Sequence, residues 1–132
     1  MIFVDTSYWI AAALRRDSRS ADARRLALLY ADQRLLTTNH VVGETWTYIN
    51  SRSGHASAVD FLTRVESSPR LEIAHVDADV EEAAWRWLRR SDERSYSFVD
   101  ATSFTLMSER GVTRALAYDQ HFAAAGFELL TQ

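Results

Sequence analysis

The sequence predicts an α/β protein built around a mostly parallel sheet, and three observations carry that expectation. Short apolar runs at 2–4, 35–38, 71–76, 114–118 and 127–130 alternate with longer stretches of helical periodicity. Strands separated by helix-length segments return in the same direction, as in βαβ units. The length of 132 residues, 47% of them hydrophobic and 25% charged, suits one domain, 1–132, with a single core. Four glycines and one proline leave no linker, repeat or Gly-rich phosphate loop.

Ile2-Phe3-Val4 reads as the first strand and ends at Asp5. Residues 6–14 are helical in pattern, and Asp17-Ser18-Arg19-Ser20 breaks the pattern. The next helix places Leu26, Leu29 and Tyr30 on one face, with Ala23 and Ala27 beside them. Leu35-Leu36-Thr37-Thr38 is a brief strand. Two helices follow, divided at Gly54; one carries Val41, Thr45 and Tyr48, the other Ala58, Phe61, Leu62 and Val65 before Pro69. The alternation over 71–76 predicts a third strand. The plainest helix spans 77–90, where Val80, Ala83, Ala84, Trp87 and Leu88 form one apolar stripe and Trp85 falls off it. After a polar loop at 91–97, a helix runs from Phe98 to Arg110 and stops at Gly111. Strands at 114–118 and 127–130 flank a short helix closed by Gly126.

Composition excludes several chemistries. There is no cysteine, hence no disulfide, thiolate zinc site or cysteine nucleophile, and a reducing compartment suits the chain. All fifteen basic residues are arginine, so no mechanism that needs a lysine from this chain operates. The apolar run at 8–14 is too short to span a membrane and follows no basic region, so a cytoplasmic protein without membrane attachment is expected.

Against eighteen acidic residues the net charge is only −3, yet four acids fall at informative places. In a parallel sheet the residues after each strand share one edge, where ligands bind. Asp5 follows the first strand and Asp119 the fourth; Glu44 sits about two turns into the helix after the second. Asp100 lies in the first turn of a helix that runs back antiparallel to the fourth strand, so it belongs to the same edge. Each has a structural explanation: Asp5 and Asp119 as helix caps, Asp100 in a Ser97-x-x-Asp100 capping box, Glu44 as a solvated helix residue. Caps do not explain convergence. Two such charges about 5 Å apart repel by about 3 kcal/mol at an effective dielectric near 20, so the cluster takes up a cation or protons. Oxygen ligands favour Mg²⁺ or Mn²⁺, and that chemistry suits hydrolysis of a phosphodiester.

Ile2-Phe3-Val4-Asp5-Thr6-Ser7, Val42-Gly43-Glu44-Thr45, Ser97-Phe98-Val99-Asp100-Ala101 and Tyr118-Asp119-Gln120-His121-Phe122, in that order, resemble the acidic motifs of PIN domains. Within that family the chain looks most like the VapC-type ribonuclease toxins of toxin–antitoxin pairs. The resemblance implies a three-layer α/β/α fold with a five-stranded sheet and a Mg²⁺- or Mn²⁺-dependent endoribonuclease. It also implies an RNA substrate, a cognate antitoxin and a homodimer. Carried over by motif, the catalytic acids are Asp5, Glu44, Asp100 and Asp119; Asp5 and Asp100 are the direct metal ligands, and Glu44 and Asp119 act partly through water. One departure is Ala117, where the family often has Thr or Ser two residues before the last Asp. Thr6, Ser7 and Ser103 are the nearest replacement hydroxyls.

Arginine suits phosphate, and Arg15, Arg16 and Arg19, with Arg86, Arg89, Arg90 and Arg94, would form a rim that contacts RNA or antitoxin. The four histidines share no metal-ligand spacing, although His121, two residues after Asp119, is within reach of a substrate. Trp9 and Trp46 each follow an acid closely and are expected in the core. No G-x-S-x-G elbow is present. A receiver-type domain needs a pocket lysine and a haloacid-dehalogenase-type phosphatase a D-x-D, and both are missing. Two alternatives stay open: a PIN-like module that binds RNA or protein without cutting, and a PIN nuclease of RNA processing rather than toxicity.

Overall fold

A computed structural model describes residues 1–131. Five strands, β1 (Ile2–Val4), β2 (Leu35–Thr38), β3 (Leu71–Ala74), β4 (Arg114–Leu116) and β5 (Glu128–Leu129), form one sheet in the order β3-β2-β1-β4-β5. Every pairing is parallel, as the alternation of strands and helices predicts. Seven helices connect them: α1 (Thr6–Ala13), α2 (Ser20–Leu29), α3 (Asn39–Ser53), α4 (His55–Ser67), α5 (Ala78–Arg90), α6 (Phe98–Arg110) and α7 (His121–Ala124).

Strand residues alternate between two cores, the period-2 signature of a sheet covered on both faces. Ile2, Val4, Leu35 and Leu116 pack with Tyr8, Ala11, Ala23 and Leu26 of α1 and α2. Phe3, Leu36, Ala115 and Ala117 pack with Val80 of α5, Phe104 and Met107 of α6, and Phe122 of α7. Ile49, Ala58, Phe61 and Val65 join α3 to α4 in a third cluster. Trp9 packs against all three and donates from Nε1 to Thr37 Oγ1 at 3.4 Å, so it is a core residue. Trp46 belongs with the α3–α4 cluster. No helix of the described residues is long and apolar enough to cross a membrane.

Two strands, β3 and β4, stop earlier than their apolar runs where a side chain captures the backbone. Val76 N–H donates to Asn39 Oδ1 at 2.7 Å rather than continuing β3. Tyr118 N–H donates to Ser7 Oγ at 2.8 Å, which turns the chain out of β4. On α2 the buried stripe is Ser20, Ala23 and Leu26; Leu29, expected inside, is 59% exposed. It ends the helix, and Tyr30 beyond it folds back onto the core instead. Gly54, with φ 96°, separates α3 from α4, a backbone region that favours glycine.

Strand order reverses beside β1: the chain moves outward through β2 and β3, then returns to β4 on the other side. The C-terminal ends of β1 and β4 therefore flank a topological switch point, where α/β sheets bind ligands.

Candidate active site

Asp5 leaves β1 at that switch point, and its N–H donates to Leu116 O at 3.0 Å, tying it to β4. Its carboxylate N-caps α1 through Oδ2, which accepts from Ser7 N at 3.2 Å and Ser7 Oγ at 2.8 Å. Ser7 Oγ also accepts from Tyr118 N, so one hydroxyl couples the ends of β1 and β4. Asp5 is 5% exposed. Burial drives its carboxyl up to about 6; the Ser7 hydroxyl and N–H pull the other way, and the nearby Asp100 charge adds to the rise.

Asp100 reaches the same place from α6. The capping box is formed: Ser97 Oγ accepts from Asp100 N at 3.0 Å, and Asp100 Oδ2 accepts from Ser97 N at 3.0 Å. His121 Nδ1 lies 2.9 Å from the same Oδ2 and 3.6 Å from Asp119 Oδ1. Asp119 Oδ1 in turn accepts from His121 N at 2.9 Å. One ligand atom from each of Asp100, Asp119 and His121 lies within 4.8 Å of the others. The cap readings of Asp5 and Asp100 both hold, and the caps fix the angle at which each carboxylate meets the edge.

Glu44 stands apart. It is exposed on the second turn of α3, beside Thr47, Tyr48 and Arg52, and no hydrogen bond or ion pair among the described residues holds it. Of the three candidate hydroxyls, Ser7 has the partners just described, whereas Thr6 Oγ1 and Ser103 Oγ are buried with none. Buried hydroxyls normally pair with something. Two orphans, next to Asp5 and one turn past Asp100, suit a site that accepts a hydrated cation. So does the donor set of carboxylate oxygens and one imidazole. The residues present fit a divalent metal.

Ala117 is fully buried among the core residues behind β4. His121 is the residue that spacing alone undervalues. Its only neighbouring ligand in sequence is Asp119, and its approach to Asp100 is created by the turn into α7. Arg15, Arg16, Arg89, Arg90 and Arg94 are all exposed. Arg19 is committed: it lies 3.5 Å from Asp17 and 4.7 Å from the centre of the Tyr118 ring.

The PIN domain family profile matches residues 2–128. The chain is 50% identical over 129 residues to the 23S rRNA-specific endonuclease VapC20 of two Mycobacterium tuberculosis strains, CDC 1551 and H37Rv; the match covers 96% of this chain and 95% of theirs. The crystal structure of M. tuberculosis VapC20, described as a Sarcin-Ricin loop cleaving toxin, superimposes with a TM-score of 0.89 at 48% identity, covering 96% of each chain. The chain belongs to the PIN domain family, and within it to the VapC group of endonuclease toxins.

Proposed function

We propose that this chain is a Mg²⁺- or Mn²⁺-dependent endoribonuclease, the toxin of an antitoxin pair, and that it cuts ribosomal RNA at the Sarcin-Ricin loop. The observation that carries the reading is the cluster of Asp100, Asp119 and His121 at the edge of the sheet, with Asp5 close enough to feel the Asp100 charge. The substrate reading is supported by 50% identity to an rRNA-specific endonuclease over 129 residues of this chain.

Asp5 and Asp100 are the residues to hold the ion, and Asp119 completes the cluster with Oδ2, which takes no hydrogen bond from the described residues. Glu44, exposed and unpaired, acts at longer range through water. A bound divalent ion supplies a lowered pKa for a water and positive charge for the phosphate as cleavage proceeds. The protein's own contribution is orientation. Ser7 holds Asp5, Ser97 holds Asp100, and the His121 backbone holds Asp119. The buried hydroxyls of Thr6 and Ser103 offer further hydrogen-bond capacity beside them. In this reading the protein acts in the cytoplasm as a homodimer, and an antitoxin silences it by covering the acids and the exposed arginines.

A time course on 23S rRNA with Mg²⁺, Mn²⁺ or EDTA tests this, beside Asp5→Asn and Asp100→Asn. Metal-dependent cutting, lost in both variants, is the expected outcome. Cutting that survives excess EDTA sinks the metal mechanism. Intact RNA in every lane, with Mn²⁺ leaving the melting temperature unchanged, makes the chain a binding module.

A further inference from the structure

Trp85 of α5 is 52% exposed, and its position is not accidental. Its indole stacks on Phe98 with ring centres 4.2 Å apart and planes 21° from parallel. Phe98 is the first residue of α6, inside the Ser97–Asp100 capping box, so the stack is fixed rigidly to a site acid. His40, at the start of α3, lies 6.0 Å beyond Phe98 and 3.7 Å from Glu81. A near-parallel stack covers one face of the indole. The exposure that remains belongs to its outer face and edge.

We propose that Trp85, backed by Phe98, is a stacking platform for an RNA base flanking the scissile phosphate, and that Arg86 and Arg89 contact the adjoining backbone. This rests on the endoribonuclease reading and adds a substrate subsite to it. Three features favour a nucleobase over a protein surface. On the helix, the neighbours of Trp85 at three and four residues' distance are Glu81, Glu82, Leu88 and Arg89, so three of the four are charged. Arg86, Arg89 and Arg90 are exposed, and no ion pair among the described residues occupies them. An aromatic face beside free guanidinium groups suits single-stranded nucleic acid, where bases stack and phosphates are neutralised. The stack also comes preassembled, so a base gains a rigid partner without ordering a side chain.

The test uses an RNA hairpin carrying the Sarcin-Ricin loop and an Asp5→Asn background that binds without cutting. Trp85→Ala is expected to weaken binding about tenfold or more, the range for loss of one stacked base, while Trp85→Phe stays within about twofold. Abasic substitution along the loop locates the base. At one position the wild-type indole pays a penalty for the missing base, and Trp85→Ala pays none. If Trp85→Ala binds RNA as tightly as its parent, or if every abasic penalty persists in it, the platform is wrong. If it instead leaves RNA affinity unchanged and shifts sedimentation to a smaller species, Trp85 is a contact between copies and the proposal falls. An Asp5→Asn protein that binds no RNA at all overturns the nuclease reading and the platform together; RNA binding indifferent to Trp85 overturns the platform alone.

Discussion

His121 Nδ1 lies 2.9 Å from Asp100 Oδ2, the same oxygen that accepts the Ser97 N–H. The contact joins the turn after β4 to the first turn of α6, two segments that share no strand pairing. Asp100 is 7% exposed, so little water is available to replace a lost partner. His121→Ala is therefore expected to destabilise the metal-free protein by about 1–3 kcal/mol, the usual cost of stripping a donor from a buried group. Urea denaturation in EDTA measures it. Saturating Mn²⁺ should narrow the gap, because the ion takes over charge that the imidazole edge was balancing. Equal stabilities in EDTA would show that the contact contributes nothing.

Asp5 makes stability depend on pH with a defined sign. Its carboxyl is raised in the fold from 3.8 to about 6, so folding favours the protonated form. Below about pH 3, under the unfolded-state value of 3.8, that form is present in both folded and unfolded chains and nothing is lost. As pH rises from about 4 to 6 the unfolded chain ionises first, and the folded state loses up to about 3 kcal/mol. Asn accepts from Ser7 as the carboxylate does but does not ionise. Asp5→Asn should match wild type at about pH 3 and exceed it above about pH 6.5, measured by thermal or urea unfolding in EDTA. A difference that does not change with pH would contradict the buried-carboxyl account.

Glu44 invites the opposite expectation. Its carboxylate is exposed and bonded to nothing among the described residues, so Glu44→Gln should leave stability within about 0.5 kcal/mol. Its effect on cleavage should be smaller than that of Asp5→Asn or Asp100→Asn, since it lies outside the cluster of Asp100, Asp119 and His121. Single-turnover rates for the three variants decide this. A loss with Glu44→Gln as deep as with Asp5→Asn would mean that α3 moves inward when substrate binds.

The strand–helix alternation was legible because apolar runs such as Ile2-Phe3-Val4 and the stripe from Val80 to Leu88 report burial directly. The approach of Asp100 to Asp119 was legible too, since parallel topology delivers the end of β4 and the start of α6 to one edge whatever the side chains are. Four features were not. The strand ends at Ala74 and Leu116 depend on Asn39 and Ser7, partners 37 and 111 residues away from the N–H groups they capture. Leu29 fits the helical period but lies where α2 has run out of cover. His121 meets Asp100 across 21 residues, a contact that no local spacing encodes. Trp85 was visible as an exception to its stripe, but the ring beneath it was not.

Ser7 carries the last expectation, because its hydroxyl serves two segments at once. It donates to Asp5 Oδ2 and accepts from Tyr118 N, both at 2.8 Å. Ser7→Ala leaves a half-buried Tyr118 N–H without its acceptor and removes a bond that favours the charged form of Asp5. The first loss should cost about 1–3 kcal/mol of stability. The second should move the Asp5 carboxyl still higher than about 6, because burial then acts with less to oppose it. A ¹³C NMR titration of the Asp5 carboxyl in EDTA reads this directly, with the wild-type midpoint near 6 and the variant's displaced to higher pH. The stability lost between pH 4 and 6 should spread upward over the same displaced range. If the midpoint stays where it is, the Ser7 hydroxyl only closes the turn, and burial alone sets the charge on the acid at the centre of the site.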